Sequence, residues 1–386
     1  MSAERILVAM SGGVDSSVAA ALLAEQGHQL IGATMKTFCY QEEPGPSRTC
    51  CGLDGIMDAR RVADALGIPH YVFDVEEEFT RDVIDDFVSE YARGRTPNPC
   101  VRCNSNTKFR DLLRRGALLG CDAVASGHYV RAGVVDGETA LFRGRDPAKD
   151  QSYFLWGLPR ALLPRLRFPL GELTKLEVRA RARELRLVTA AKPESQEICF
   201  VPTGDYRDLL RHRLGERHDA LRPGNLVDTR GRVVGRHQGY ASFTVGQRRG
   251  LGGGFDRRVY VVEIRPGTRE VVVGAREALE CRELRVGELN WLTARPPSDG
   301  TVVRAQLRYR APAVPGRVQH AGNGLELELE EPVLAVTPGQ SAVFFDGTGR
   351  ILGGGRIATA AMAGGTADGL AEAAASRARA DRPALR

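Results

Sequence analysis

A short glycine- and serine-rich loop near the start of the chain constrains the fold more than any other feature. Residues 10–17 read MSGGVDSS, directly after the apolar run 5–10 and at the start of the helical pattern 14–26. Glycine lets the backbone approach an anion closely, and the first amides of a helix point unpaired N–H groups toward it. The loop lacks the Gly-Lys-Ser/Thr of a Walker A motif, so it suits the pyrophosphate part of ATP that leaves when a substrate is adenylated.

The first half of the chain alternates strand-like and helix-like patterns, which predicts an α/β fold with a doubly wound parallel sheet. Residues 1–205 are assigned to this domain. Short valine-rich strands between Gly and Pro then predict two small β-rich domains, a central one over 206–285 and a barrel-like one over 286–357. The Ala/Gly- and then Arg-rich tail, residues 358–386, is expected to be disordered. The expected strands are 5–10, 29–36, 70–75 and 122–126, and the expected helices are 14–26, 58–66, 79–93 and 105–119.

The composition indicates a cytoplasmic protein with no membrane association. The first residues lack a basic region ahead of a long apolar run, because the apolar stretch stops at Ser11, and no apolar run is long enough to cross a bilayer. Eight cysteines in 386 residues are not a disulfide framework. The net charge of +6 suits a polyanionic partner, although a basic balance alone is weak support for one.

In an open parallel sheet, a ligand lies outside the carboxyl ends of the strands. Residues at two further strand ends, Met35 and Gly127, could therefore hold adenine and ribose. Asp15 is unusual beside phosphate unless it holds Mg²⁺ or a water bound to Mg²⁺. The neighbouring His128 is equally compatible with a structural role. The predicted ATP-binding residues are Ala9, Met10, Ser11, Gly12, Gly13, Val14, Asp15, Ser16, Met35 and Gly127.

Two cysteine-containing segments give the second indication of the chemistry. In the segment TPNPCVRCN, prolines precede Cys100, and a helix is expected to begin shortly after Cys103. Thiolates are stabilised near a helix N-terminus. A lone CxxC is compatible with redox, zinc or cluster roles, and a closed structural zinc site is disfavoured because no second CxxC or His pair accompanies it. Cys199, in SQEICF, is by itself more typical of a small buried apolar residue.

Taken together, these segments make the chain resemble the tRNA-specific 2-thiouridylases (the MnmA family) of the ATP-pyrophosphatase, or PP-loop, superfamily. The resemblance runs from the loop to Leu352, and several motifs in one order make it specific. The motifs are SGGVDSS, DARRVADALGIPHY, TPNPCVRCN, SGHYVR, KDQSYFLW, SQEICF, GRHQGYASFTVGQRRGLG, LRYR and PGQSAVFF.

This resemblance implies 2-thiolation of the wobble uridine (position 34) of tRNA. ATP would adenylate the uridine O2, the cysteine matching Cys199 would receive sulfur as a persulfide, and AMP would leave. The cysteine matching Cys103 would then release the sulfur, ending in a Cys103–Cys199 disulfide. A relay protein or a cysteine desulfurase would donate the sulfur, and we expect a monomer acting on one tRNA.

The chain departs from the family at Cys100, where well-known members carry a catalytic Asp. Three cysteines (Cys100, Cys103 and Cys199) are therefore available as ligands for a [4Fe–4S] cluster with one open iron. We predict such a cluster, with the persulfide–disulfide route as the alternative. Cys39, Cys121, Cys281 and the pair Cys50-Cys51 are assigned no catalytic role.

The resemblance also implies tRNA contacts, among them the basic turn 247–250. The predicted tRNA-binding residues are Asn98, Pro99, His128, Lys149, Asp150, Gln151, Arg308, Tyr309 and Gln340. Residues 308–310 are expected to form a basic–aromatic–basic strand that contacts the backbone and stacks on bases.

Other functions remain open at this point. They are a PP-loop thiolase of another tRNA position, a PP-loop ligase or amidotransferase that delivers nitrogen, and a non-catalytic RNA-binding protein.

Overall fold

The N-terminal domain is built on a parallel five-stranded sheet. The computed structural model describes residues 3–37, 53–194, 198–201, 204–252, 255 and 257–365. The strand order β3-β2-β1-β4-β7 places a topological switch point between β1 and β4, and β5 and β6 form a separate hairpin. The strands are β1 (Arg5–Ala9), β2 (Gln29–Lys36), β3 (His70–Asp74), β4 (Ala123–Ser126), β5 (Val130–Val135), β6 (Glu138–Arg143) and β7 (Leu166–Arg167).

Helices cover both faces of this sheet, as predicted. Side chains alternate along β1, so that Ile6 and Val8 pack with the helices α1, α2 and α7, and Leu7 packs on the opposite face with α6. The helices are α1 (Val14–Glu25), α2 (Leu53–Ala65), α3 (Glu76–Phe79), α4 (Asp85–Ala92), α5 (Pro99–Arg102), α6 (Phe109–Leu118) and α7 (Lys175–Glu184).

Two π-helical segments differ from the predicted helices. Thr80–Ile84 joins α3 to α4, and Cys103–Lys108 joins α5 to α6. The helical run that carries the CxxC motif therefore begins at Pro99, before Cys100, rather than after Cys103 as expected. Proline is compatible with the first helical position, where no N–H is required. Single-turn π-segments are frequent at functional sites.

The central domain is a small β-sheet with one helix, α8 (Tyr206–Leu214). Its strands β8 (Gly224–Asp228), β9 (Val233–His237), β10 (Tyr260–Arg265) and β11 (Glu270–Gly274) pair in the order β10-β11-β8-β9. The Tyr240 hydroxyl donates a hydrogen bond to the Ala92 carbonyl (2.7 Å), which joins this domain to α4.

The last domain is a closed six-stranded barrel, ordered β12-β15-β14-β13-β16-β17. Its strands are β12 (Glu280–Trp291), β13 (Val302–Gln306), β14 (Val314–Ala321), β15 (Gly324–Leu334), β16 (Ser341–Phe345) and β17 (Ile351–Met362). The barrel thus begins before residue 286 and ends after 357, because β12 and β17 pair along nearly their whole length. Residues 358–362 therefore belong to a strand, and 366–386 lie outside the described residues.

The segment 308–310 is not a strand, contrary to expectation. It forms a turn after β13, in which Arg310 adopts a left-handed backbone conformation (φ +64°). Within the described part of the chain, no helix is long and apolar enough to cross a membrane.

Candidate active site

A crevice of about 370 Å³ opens at the carboxyl ends of β1, β2 and β4, beside the switch point of the sheet. Most of the predicted nucleotide-binding residues meet there, together with all three candidate cysteines. Those lining it are Ala9, Met10, Ser11, Asp15, Ser16, Met35, Gly127, Cys100, Cys103 and Cys199. Gly12, Gly13 and Val14 complete the loop without lining the crevice.

The loop between β1 and α1 is shaped to receive an anion. Ser16 ties it together, because its hydroxyl oxygen accepts from the Ser11 amide (3.1 Å) and its hydroxyl group donates to the Gly13 carbonyl (3.1 Å). Gly13 is the N-cap of α1 and makes no side-chain capping bond to the first amides of the helix. Helix N-termini with uncapped amides favour phosphate groups.

Two glycines in this region cannot carry a side chain. A Cβ on Gly127 would lie 2.7 Å from the Asp15 carbonyl carbon and 2.8 Å from the Ser16 nitrogen. Gly12 has φ +70°, and its Cβ would lie 2.1 Å from the Gly55 carbonyl oxygen in α2. The strand end after β4 and the start of α2 therefore pack directly against the loop.

The Asp15 carboxylate is held by two side chains from distant segments. Lys175 Nζ on α7 lies 2.7 Å from Oδ1 and 2.8 Å from Oδ2, and the Tyr129 hydroxyl donates to Oδ1 (2.7 Å). Burial, and then the charge of Asp15, raise the pKa of Tyr129, so the phenol stays protonated. Oδ1 thus accepts two hydrogen bonds and Oδ2 accepts one, so Oδ2 keeps a lone pair that could bind Mg²⁺.

A second carboxylate, Glu194, extends this network toward the cysteine segment. It pairs with Lys175 (2.9 Å) and with Lys149 (2.6 Å). Burial alone would raise the pKa of Glu194, but the hydrogen bonds and charges of the two lysines outweigh it and lower the pKa to about 2. Nearby, Lys192 Nζ donates to the Gly12 carbonyl (2.9 Å) and to Asp58 (2.6 Å). Lys175 and Lys192, which are distant in sequence, thus hold the loop between β1 and α1 (the phosphate loop) in place.

The three cysteines lie on different parts of the crevice wall. Cys103 and Cys199 are half-buried and pack against one hydrophobic cluster, which includes Phe79 and Phe200. Cys100 is exposed to the crevice, in the first turn of α5. Desolvation by the surrounding protein raises the pKa of the Cys100 thiol, and the positive charge of Lys108 opposes this.

The three predicted cluster ligands, Cys100, Cys103 and Cys199, line the same crevice. Within the described ranges, which include Cys100, Cys103 and Cys199, no three Cys, His, Asp or Glu side chains are placed to hold one metal ion. The cysteines share one crevice, and the [4Fe–4S] cluster on them stays a prediction.

His128 lines the crevice and is buried. Its Nδ1 lies 2.7 Å from the Ser126 hydroxyl. Burial, and then the charge of Lys108, lower the pKa of His128 well below its usual value, so the ring is neutral.

Of the other predicted tRNA-binding residues, Pro99 and Gln151 line the crevice. Gln151 Oε1 accepts from the Tyr129 amide (3.0 Å). Asn98 lines a separate cavity of about 110 Å³ between the CxxC helix and the barrel. Asp150 is nearly buried, paired with Arg143 (2.8 Å).

Lys149 pairs with Glu194, as described above, and the last three predicted residues lie on barrel segments and make contacts within the protein. Arg308 donates to the Ala335 carbonyl (3.1 Å). The Tyr309 ring packs on Phe154 with a centroid distance of 4.3 Å, so its stacking surface is partly used within the protein. Gln340 Nε2 donates to the carbonyls of Thr96 (2.8 Å) and Pro97 (3.2 Å), and so links the barrel to the segment before Cys100.

Lys108, Lys175 and Glu194 also belong to the site, although no sequence motif identifies them as such. Lys108 was placed on the helix after the CxxC motif but given no role, and Glu194 lies beside the SQEICF motif. Lys175 offered no signal, because it is one of many basic residues, and only the fold brings α7 against the loop.

Family models match nearly the whole chain. The tRNA methyl transferase HUP domain matches residues 4–203, its PRC-barrel domain 208–275, and the aminomethyltransferase beta-barrel domain 281–357. Two relatives, each a tRNA-specific 2-thiouridylase MnmA, are 49% identical. That of Parvibaculum lavamentivorans covers 92% of this chain and 90% of its own length, and that of Carboxydothermus hydrogenoformans covers 92% and 97%. A U34-tRNA thiolase NcsA from Methanococcus maripaludis is only distantly similar, at 20% identity and a TM-score of 0.34 over 56% of this chain and 69% of that one.

Proposed function

The chain belongs to the tRNA-specific 2-thiouridylase family, and from this premise we propose that it uses ATP to replace the O2 oxygen of uridine 34 in tRNA with sulfur. One observation carries the proposal: the phosphate loop and the cysteines Cys103 and Cys199 line a single crevice. Activation of an oxygen and delivery of sulfur can therefore occur on one bound base. The enzyme is accordingly a tRNA sulfurtransferase.

The first step is adenylation. The uridine O2 attacks the α-phosphorus of ATP, the bond to the bridging oxygen breaks, and pyrophosphate leaves. The amides at the start of α1 and the Ser11 hydroxyl, which lines the crevice, would stabilise this pyrophosphate. Mg²⁺ is the expected companion of the phosphates, and the carboxylates Asp15 and Glu194 are of the type it prefers.

Sulfur transfer follows on the cysteine side of the crevice. The outer sulfur of a persulfide on Cys199 attacks C2, and AMP leaves with the oxygen. The Cys103 thiolate then attacks the Cys199 sulfur, the Cys199 S–S bond breaks, and the outer sulfur stays on C2. A Cys103–Cys199 disulfide remains for an external thiol to reduce. The packing of Cys103 and Cys199 against one hydrophobic cluster supports this pairing, with Cys100 in place of the aspartate of relatives.

A Cys103→Ser variant distinguishes this route from a cluster-bound sulfide. Without the resolving thiol, tRNA should accumulate as a covalent adduct on Cys199 that dithiothreitol releases. Cys199→Ser should form no adduct while still producing pyrophosphate. If protein purified without oxygen instead contains iron and sulfide, absorbs in the visible range and forms no adduct, the cluster route is correct.

The modified position is tested with transcripts. With ATP, a cysteine desulfurase and L-cysteine, a tRNA carrying U34 should yield 2-thiouridine and AMP in equal amounts. The same tRNA with C34 should yield neither. Thiolation of the C34 transcript would assign another position. Nitrogen incorporation from ammonia would indicate a ligase or amidotransferase.

For tRNA binding, we propose that the backbone contacts involve Lys149, the turn 247–250 and Arg308. Gly246, the residue just before that turn, packs against Ala335, whose carbonyl accepts from Arg308, so the two basic elements are neighbours. We further propose that a relay protein or desulfurase supplies the sulfur, and that a monomer acts in the cytoplasm.

A further inference from the structure

The barrel forms ion pairs with the helical turn that separates Cys100 from Cys103. Arg102 lies within this turn, and its guanidinium pairs with Glu288 of the barrel and with Asp86 of α4 (3.3 Å). Arg356 of the barrel completes the group, because it pairs with the same Asp86 (2.9 Å) and approaches Glu288 (3.5 Å). Two barrel residues and one helix of the N-terminal domain thus meet at the residue between the cysteines.

The ion pairs of Arg356 are more deeply buried than an ordinary surface ion pair. The Arg356 side chain is only 10% exposed, and it also pairs with Glu90 (2.9 Å), which is 1% exposed. Charges removed from water in this way hold a defined geometry, because each partner left alone would be an uncompensated charge. The charges in the group alternate, with Arg102 and Arg356 each lying between carboxylates.

The backbone of the barrel is irregular at Glu288, where these ion pairs form. Glu288 has φ +49°, which is unusual for a residue with a side chain, and it lies where the β12–β17 register shifts between Gly287 and Asn290. Arg356 pairs with Gly287 across the same seam. Asn290 donates to the carbonyls of Trp156 (2.6 Å) and Leu158 (2.9 Å). The irregular stretch of β12 therefore faces the N-terminal domain. Strained backbone persists only where surrounding contacts hold it, and the N-terminal domain provides such contacts here.

We propose that Glu288 and Arg356 are positioning residues for sulfur transfer, which act through Arg102 to fix the orientation of Cys100 and Cys103 in the crevice. This inference rests on the proposed function. Neither residue lines the crevice, so their effect reaches the cysteines through the rigid turn. A small misplacement of reacting atoms slows a reaction strongly without weakening substrate binding.

The test is Glu288→Gln, which keeps the shape of the side chain and removes its charge. We expect kcat to fall roughly tenfold or more, with KM values for tRNA and ATP unchanged. The matched control is Glu326→Gln. Glu326 pairs with Arg285 (3.3 Å), which lies on β12 as Glu288 does, and the Glu326 side chain is similarly exposed (53% against 47% for Glu288). The control should leave every parameter unchanged.

A double-mutant cycle shows whether Glu288 acts through Arg102. The combined Glu288→Gln and Arg102→Gln variant should be no slower than Arg102→Gln alone, since both remove the same link. Additive losses, or a raised KM for tRNA with kcat unchanged, would overturn the proposal, the latter in favour of direct tRNA contact by Glu288.

A measurement that needs neither tRNA nor ATP separates this inference from the proposed function. Starting from the fully reduced protein, the rate at which diamide oxidises Cys103 and Cys199 to a disulfide should be lower in Glu288→Gln and normal in Glu326→Gln. Thermal melts confirm that both variants are folded. An unchanged rate of disulfide formation in folded Glu288→Gln would refute the positioning role, whatever the thiolation activity proves to be.

Discussion

Lys175 Nζ lies 2.7 and 2.8 Å from the two carboxylate oxygens of Asp15, although 160 residues separate them along the chain. Asp15 belongs to the phosphate loop and Lys175 to the first turn of α7. A Walker loop contains its own lysine, whereas here the positive charge reaches the loop from another helix. Its position depends on the packing of α7 against α1.

Lys175→Met should weaken ATP binding, because Asp15 and Glu194 would then repel the triphosphate. We expect the Kd for ATP to rise roughly tenfold, which corresponds to about 1.4 kcal/mol. The free energy of unfolding should fall by about 1–3 kcal/mol, since a buried cation is lost and two partly exposed carboxylates remain. Calorimetric titration and urea unfolding measure the two effects.

Arg181→Met on the same helix is the control, because Arg181 pairs with exposed Glu25 and Glu184. It should change stability by less than about 1 kcal/mol and leave ATP binding unchanged. Equal effects in the two variants would contradict a specific role for Lys175.

Glu194 should contribute to the acid sensitivity of folding. Its pKa in the folded chain is lowered from 4.5 to about 2, so its contribution is fully present above pH 4.5. As the pH falls from 4.5 through 2, the carboxylate becomes protonated and this stability is lost. In Glu194→Gln, the unfolding free energy should therefore fall less steeply across that interval than in the unaltered protein. Urea titrations at several pH values compare the slopes, and parallel curves would contradict the assigned pairing.

Local patterns predicted the sheet and the loop because each depends on a few adjacent residues. The continuous apolar run Ile6, Leu7 and Val8, followed by a helical pattern, is sufficient to predict a buried parallel strand. Local patterns do not predict the features that long-range packing determines. Nothing adjacent to Arg308 indicates the turn in which the structure places it, and nothing near Gln340 indicates that its amide bonds to Thr96 and Pro97. The convergence of three cysteines on one crevice was anticipated from the family resemblance, because spacing along a chain does not by itself bring Cys199 to Cys100 and Cys103.

Cys100→Asp tests whether Cys100 takes the place of the catalytic aspartate that the family resemblance implies at this position. If the position holds a proton-transferring group beside the base, Cys100→Asp should retain thiolation, whereas Cys100→Ala should lose about 100-fold in rate. The two substitutions also separate the sulfur routes, since a cluster that depended on Cys100 would be impaired in both. Single-turnover thiolation of tRNA under anaerobic conditions gives the rates. Equal activity in Cys100→Asp and Cys100→Ala would show that no proton transfer occurs at this position.

Gly127→Ala should abolish ATP binding by displacing the phosphate loop. The added methyl would lie 2.7–3.0 Å from the backbone of Asp15 and Ser16, which cannot rotate away as a flexible side chain could. The strand end and the first turn of α1 must then separate, at a cost of about 1–3 kcal/mol in the free energy of unfolding. Gly347→Ala is the control, because a Cβ at Gly347 meets nothing within 4 Å. Loss of ATP binding in Gly127→Ala with a normal melting curve for Gly347→Ala supports close contact of strand β4 with the loop. Unaltered ATP binding in Gly127→Ala would mean that the nucleotide lies elsewhere than the carboxyl ends of β1 and β4.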